Sequence, residues 1–195
     1  MTKTLLRFSL LALLFAPTAF AQQYTPWEVF GGFSVQRANV REYYKATPII
    51  YTFRERFINL PGWEVSLTEN VNKWFGGTLQ SSGHYSTETV LGTKNRQKKF
   101  AILYGPRFLY PGGWFRPYGH VLFGAAHASV TVSPGPHATQ TRFAVAGGGG
   151  VDLKVSSRVG IRAFEVQYSP KNEIGSRPNQ FQASAGAVFY IGQPK

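Results

Sequence analysis

Phe181-Gln182-Ala183-Ser184-Ala185-Gly186-Ala187-Val188-Phe189-Tyr190-Ile191 is the stretch on which the fold turns. Phe181, Ala183, Ala185, Ala187, Phe189 and Ile191 fall at every second position, opposite Gln182, Ser184 and Gly186. Side chains of an extended chain alternate between its two faces, so a period of two predicts a strand with one apolar and one polar or small face. Few segments of the chain show helical periodicity, which argues against an all-α protein.

Working outward from this stretch, the same pattern recurs. Trp27, Val29, Phe33 and Val35 oppose Glu28, Ser34 and Gln36, and Trp63, Val65 and Leu67 interleave with Glu64, Ser66 and Thr68. Phe75 and Leu79 oppose Thr78, Gln80, Ser82 and His84. Phe100, Ile102, Tyr104, Phe108 and Tyr110 oppose Gly105 and Arg107. Phe115, Val121, Phe123 and Ala125 face away from Arg116, His120 and Gly124, as Phe143, Val145, Val151 and Leu153 do from Ala144, Gly148, Asp152 and Lys154. Only Val159 to Tyr168 breaks the rule: Arg162 and Glu165 fall on opposite faces, which a bulge between them would repair.

Eight such segments fit a half-buried soluble sheet or a lipid-facing barrel wall. Two features favour the barrel. Connections alternate, long at 36–61, 86–97, 130–140 and 169–179 and short at 70–73, 111–113 and 155–157, the rhythm of an outer-membrane barrel with its short turns in the periplasm. The inward face mixes small and charged residues, which suits a polar bore better than a sandwich core. Aromatics at segment ends (Trp27, Trp63, Trp74, Tyr110, Trp114, Tyr168, Tyr190) would form the interfacial girdles. Eight strands are expected, because sixteen of about ten residues would leave almost nothing for loops. The predicted fold is all-β: an eight-stranded antiparallel up-and-down transmembrane β-barrel over residues 22–195, following a cleaved signal peptide at 1–21.

The signal peptide is read from Lys3 and Arg7, the apolar run Phe8 to Phe15, and the small-residue pattern Ala19-Phe20-Ala21 ahead of Gln22. No cysteine occurs anywhere in the 195 residues. That excludes lipoprotein anchoring, a disulfide scaffold, a thiolate metal site and a cysteine nucleophile. The balance is basic, 21 Lys+Arg against 9 Asp+Glu.

Six stretches together resemble the OmpA-type eight-stranded outer-membrane β-barrel family. They are Val29-Phe30-Gly31-Gly32-Phe33-Ser34, Gly62-Trp63-Glu64-Val65, Gly105-Pro106-Arg107-Phe108, Gly148-Gly149-Gly150-Val151-Asp152, Ile161-Arg162-Ala163-Phe164-Glu165-Val166-Gln167-Tyr168 and Ser184-Ala185-Gly186-Ala187-Val188-Phe189. The resemblance implies a place in the cell outer membrane, among its lipids and lipopolysaccharide. It also implies delivery by periplasmic chaperones and insertion by the barrel-assembly machinery, with a monomer as the expected state.

Chemistry-bearing motifs are sparse. His127-Ala128-Ser129 resembles the His-x-Ser of PagL-type lipid A esterases, but such a hydrolase also needs an acid to orient the base. His84, His120 and His137 are isolated, so no metal or cofactor is expected. Gly147 to Gly150 lacks the Gly-Lys-Ser/Thr of a phosphate loop and suits close packing in a narrow barrel. The informative set is the inward charges Glu28, Glu64, Arg107, Arg116, Asp152 and Lys154. Charges in a confined bore must be paired, which predicts a plug of ion pairs rather than a conducting path of the OmpW kind. Arg37, Arg41, Lys45, Arg54 and Arg56, then Lys94, Arg96, Lys98 and Lys99, cluster in the long connections among Tyr43, Tyr44, Tyr51 and Phe53. An exported chain has no nucleic acid to meet, so these cations are expected to face anionic lipopolysaccharide. The expected role is structural support, adhesion or surface binding without catalysis.

Overall fold

A computed structural model of the chain describes residues 24–45, 51–90, 93–133, 135, 137–170 and 176–192. The expected signal peptide at 1–21 lies outside them, and so do the side chains of Arg41, Tyr43, Tyr44, Lys45, Tyr51, Phe53, Arg54, Arg56 and Lys94. The eight strands are β1 (Trp27–Lys45), β2 (Tyr51–Asn70), β3 (Phe75–Val90), β4 (Thr93–Leu109), β5 (Phe115–Ser133), β6 (His137–Lys154), β7 (Val159–Pro170) and β8 (Ser176–Ile191). Each pairs antiparallel with its chain neighbour, and β1 with β8 closes the barrel. Closure gives every strand a partner on both sides, the condition a strand protein must meet in hydrocarbon.

Register fixes which face meets lipid. Glu28, Phe30, Ser34 and Gln36 are buried while Trp27 and Phe33 are exposed, and the same alternation runs round the barrel. On β7 the pairing repairs the broken pattern. Phe164 lies opposite Val151 and Arg162 opposite Asp152, so Ala163 is one residue too many for the ladder with β6. Across β8 the ladder likewise slips between Arg162 and Glu165. The bulge turns both charges inward, and the pairs Val159/Ile161 before it and Val166/Tyr168 after it outward.

Aromatics band the outer wall at two levels. Trp74 packs on Tyr110 at 5.8 Å, Phe75 on Phe108 at 5.4 Å and Trp114 on Phe115 at 5.8 Å near the short turns. Trp63 packs on Phe100 at 6.2 Å and Tyr168 on Phe181 at 5.3 Å toward the other end. Ten steps from Phe100 on β4 to Tyr110 just past its end, at about 3.3 Å each and a tilt of about 40°, rise roughly 25 Å, the height of an outer-membrane apolar band. Tyr190 is the exception to the expected girdle. An even-numbered residue of β8, it points into the bore and is 4% exposed.

The long connections also differ from expectation. Most of 36–61 and 86–97 is strand: β1 and β2 remain paired from Arg37↔Asn59 to Lys45↔Tyr51, and β3 and β4 from Ser86↔Gln97 to Val90↔Thr93. Backbone pairing therefore continues beyond the segments whose hydrophobic alternation marks the wall.

Val145 stands on the outer face opposite Phe123, near the middle of β6. Val145→Arg should therefore cost roughly 2–4 kcal/mol, the penalty for a cation at the bilayer midplane. Folding titrations into lipid vesicles measure it, and a neutral result would reverse the assignment of faces.

Candidate functional site in the barrel lumen

The lower bore is built from charges carried on five strands. Arg107 of β4 donates from Nη1 to Glu28 of β1 at 2.6 Å and from Nη2 to Asp152 of β6 at 2.7 Å. Arg116 of β5 donates to the other oxygen of Glu28 at 2.9 Å. On β7, Arg162 donates from Nε to Asp152 at 2.8 Å and from Nη1 to Glu165 at 2.6 Å. The groups thus form an alternating run, Arg116–Glu28–Arg107–Asp152–Arg162–Glu165, whose six charges cancel. Hydrogen bonds between ionised partners are the strong kind, and those in a low-dielectric interior reinforce one another.

Uncharged neighbours complete the shell. Asn70 donates to Glu28 at 3.0 Å, and both Tyr118 and Gln167 donate to Glu165. The Arg107 guanidinium lies 3.9 Å from the centre of the Tyr118 ring, and that of Arg162 lies 4.0 Å from the Phe30 ring. Glycines make room for these rings. A Cβ at Gly32 would come within 2.7 Å of Phe30, and one at Gly150 within 2.8 Å of the Tyr118 hydroxyl. Within the glycine run 147–150, Gly148 and Gly150 therefore bear on packing against Gln167 and Tyr118.

Of the six charges singled out in the sequence, Glu28, Arg107, Arg116 and Asp152 meet directly. Glu64 stands at the edge of the run: its carboxylate accepts from Gln182 at 2.8 Å and lies 3.9 Å from Arg162. Lys154 does not join it. At the last residue of β6 it remains at the periplasmic mouth, its ammonium 5.5 Å from the centre of the Tyr190 ring. The sequence reading left out Arg162 and Glu165, which hold one end of the run. Their signal was the broken alternation itself, since two charges out of phase in a wall strand mark a bulge that points both inward.

Above the charges the bore is filled mainly by uncharged groups, with Lys99 buried among them rather than facing lipopolysaccharide as expected. Gln167 donates to Gln80 at 2.7 Å, Gln36 to Gln180 at 3.1 Å, and Ser34 is hydrogen-bonded to His84 at 3.0 Å. Leu103, Leu122, Ala144 and Ala146 pack as one apolar cluster beside them. The pocket lined by Gln36, His84, Lys99 and Gln182 at this level has a volume of about 30 Å³, on the order of one water molecule.

His127 and Ser129 lie on the outside of the wall. His127 Nδ1 is hydrogen-bonded to Thr141 Oγ1 at 2.8 Å, and Ser129 sits opposite Thr139. His137 is bonded in the same way to Thr131, 2.8 Å. In register with this hydroxyl-rich strip, Lys98 pairs with Ser129 and Arg96 with Thr131. One step below, Phe100 pairs with His127 at the upper aromatic girdle.

Comparison with known proteins agrees with this architecture. Neisserial surface protein A has the same fold at a TM-score of 0.63 and 13% identity, over 86% of this chain and 98% of that one. Ail, the attachment invasion locus protein of Yersinia pestis, matches at a TM-score of 0.54 and 17% identity, over 83% of this chain and 98% of its own. Ail in complex with the heparin analogue sucrose octasulfate matches at 0.50 and 15%, over 83% and 99%. No curated protein sequence matches the chain. The model of the outer membrane protein beta-barrel domain matches residues 8–189, nearly the whole length. With a closed eight-stranded wall, two aromatic girdles and that match, the chain belongs to the outer membrane protein beta-barrel family and resides in the cell outer membrane.

Proposed function

We propose that this protein is a closed, non-enzymatic barrel whose extracellular end binds anionic surfaces, with the phosphorylated headgroups of lipopolysaccharide as its nearest partner. The observation that carries this reading is the outward strip above Phe100. Lys98 and Arg96 follow that girdle residue at two-residue intervals on the same face, and both are exposed. At about 3.3 Å per residue along a tilted strand, these cations rise roughly 5 and 10 Å above the girdle, the depth at which headgroup phosphates sit. Ser129, Thr131 and Thr139 present hydroxyls beside them, and Arg37, stacked 4.5 Å from the centre of the Phe57 ring, adds a cation on the opposite side of the barrel. Among solved barrels of this fold, Ail has been captured with a polysulfated heparin analogue, which is compatible with anion binding on such a scaffold. The hydrogen bond between His127 and Thr141 favours a surface strip over an esterase site.

The test is titration of the refolded barrel in neutral detergent with lipopolysaccharide and with its dephosphorylated form. Each cation near an anionic surface contributes about 1 kcal/mol, so the Arg96→Ala/Lys98→Ala double variant should bind intact lipopolysaccharide roughly 30-fold more weakly. The dephosphorylated form should bind both proteins poorly. Equal binding by the double variant would overturn the proposal.

A further inference from the structure

The periplasmic mouth holds a cavity of about 340 Å³ that the ion-paired plug does not fill. Pockets of roughly 300–1,000 Å³ are the size that takes small ligands. Its lining brings together Lys73 from the β2–β3 turn, Arg116 at the start of β5 and Lys154 at the end of β6. Among the described residues lining it there is no carboxylate. Arg116 and Lys154 both lie over the face of Tyr190, at 5.1 Å and 5.5 Å from the ring centre, so one buried ring fixes both cations on the same side of the opening. Arg116 is held in place from beneath through Glu28. Leu109 and Pro111 supply an apolar wall, and Tyr24, whose hydroxyl donates to the Val71 carbonyl at 2.8 Å, borders the other side.

This arrangement differs from the plug above it. There every guanidinium meets carboxylates on other strands, and the run is neutral. At the mouth, Lys154 and the outer side of Arg116, which is also bound to Glu28, border an open space, and an anion entering from the periplasm gains from both. Arg and Lys held by neighbouring groups also lose less entropy in binding than free surface cations do.

We propose that the periplasmic mouth is a binding site for a phosphate-bearing anion, with Lys154 and Arg116 as its principal cations. It is separate from the extracellular strip, at the other end of the barrel, and does not depend on it. The phosphate is that of a free periplasmic solute or of an inner-leaflet lipid headgroup. Both present the same oxyanion to the same residues.

The experiment uses the full mature chain refolded in maltoside micelles, titrated with inorganic phosphate by calorimetry. A parallel arm compares thermal stability in nanodiscs of phosphatidylglycerol and of phosphatidylcholine. Two variants probe the site. Lys154→Ala removes one cation, and Gly113→Asp places a carboxylate in the lining at a position where an added Cβ meets nothing within 4 Å. Lys154→Ala should weaken phosphate binding roughly tenfold, and Gly113→Asp should abolish it. The Arg96→Ala/Lys98→Ala variant should bind phosphate like the parent, so failure of the extracellular proposal and failure of this one are told apart. Binding of inorganic phosphate assigns a free solute. Stabilisation by phosphatidylglycerol alone, lost in both mouth variants, assigns a headgroup. No binding in either arm, or binding that both mouth variants retain, overturns the site.

Discussion

Arg162→Ala should destabilise the folded barrel by about 3–5 kcal/mol, the cost of leaving a buried charge unpartnered. The effect should exceed that of Arg107→Ala, although both side chains are buried and both hold two carboxylates. The order follows from how the alternating run breaks. Without Arg107, Glu28 keeps Arg116 and Asp152 keeps Arg162, so each acid retains a cation. Without Arg162, Asp152 keeps Arg107, but Glu165 loses its guanidinium and Glu64 loses the nearest one. Phe30 also loses the cation lying 4.0 Å from its ring centre. Urea titrations of folding into detergent micelles give the comparison, with exposed Lys98→Ala as the control, expected within about 0.5 kcal/mol of the parent. Adding Glu165→Gln to Arg162→Ala removes the stranded charge and should recover part of the loss. A strictly additive second loss would mean that Arg162 acts through its bulk rather than its charge.

What the sequence could disclose divides along physical lines. Within the bilayer one face of each strand meets lipid and the other a packed bore, so the chemical contrast between neighbours is large, and from Trp27 to Gln36 or Phe181 to Ile191 the period of two is plain. Outside it the contrast disappears, which is why the paired ribbons of β1–β2 and β3–β4 read as loops. Parity also identified Glu28, Arg107, Arg116 and Asp152 as inward without knowing which touch which. The partners depend on strand stagger, a property of closure that no single segment carries. Lys154 shows the limit of parity: its position in the alternation is inward, but at the end of a strand inward means the mouth and not the plug. Tyr190 shows the converse: an aromatic at a strand end reads as a girdle residue, although its even number places it among the lumen groups. Arg162 and Glu165 were visible as an anomaly, and the anomaly was structural information. A wall strand carrying two charges one residue out of phase either exposes one of them to lipid or bulges, and the first alternative costs several kcal/mol.

The intact barrel should carry no steady ionic current. Eight strands enclose a bore that side chains can fill, and here they fill it in two different ways. At the lower level three guanidiniums and their carboxylates span from strand to strand, and an ion passing through must displace a partner from a pair that is already satisfied. At the upper level Leu122 is wholly buried in a cluster with Leu103, Ala144 and Ala146, beside glutamines bonded to one another, and the pocket among them has a volume of about 30 Å³. A hydrated ion needs a continuous file of water, which a space on the order of one molecule does not supply. The cavity at the periplasmic mouth is therefore a vestibule ending on the plug. Planar-bilayer recordings of the purified, refolded protein test this, with Arg107→Glu recorded alongside. Contaminating porins would give steps that the substitution leaves untouched. Steady single-channel steps whose ion selectivity changes with Arg107→Glu would have to pass through this bore, and they would replace the plugged barrel with a pore.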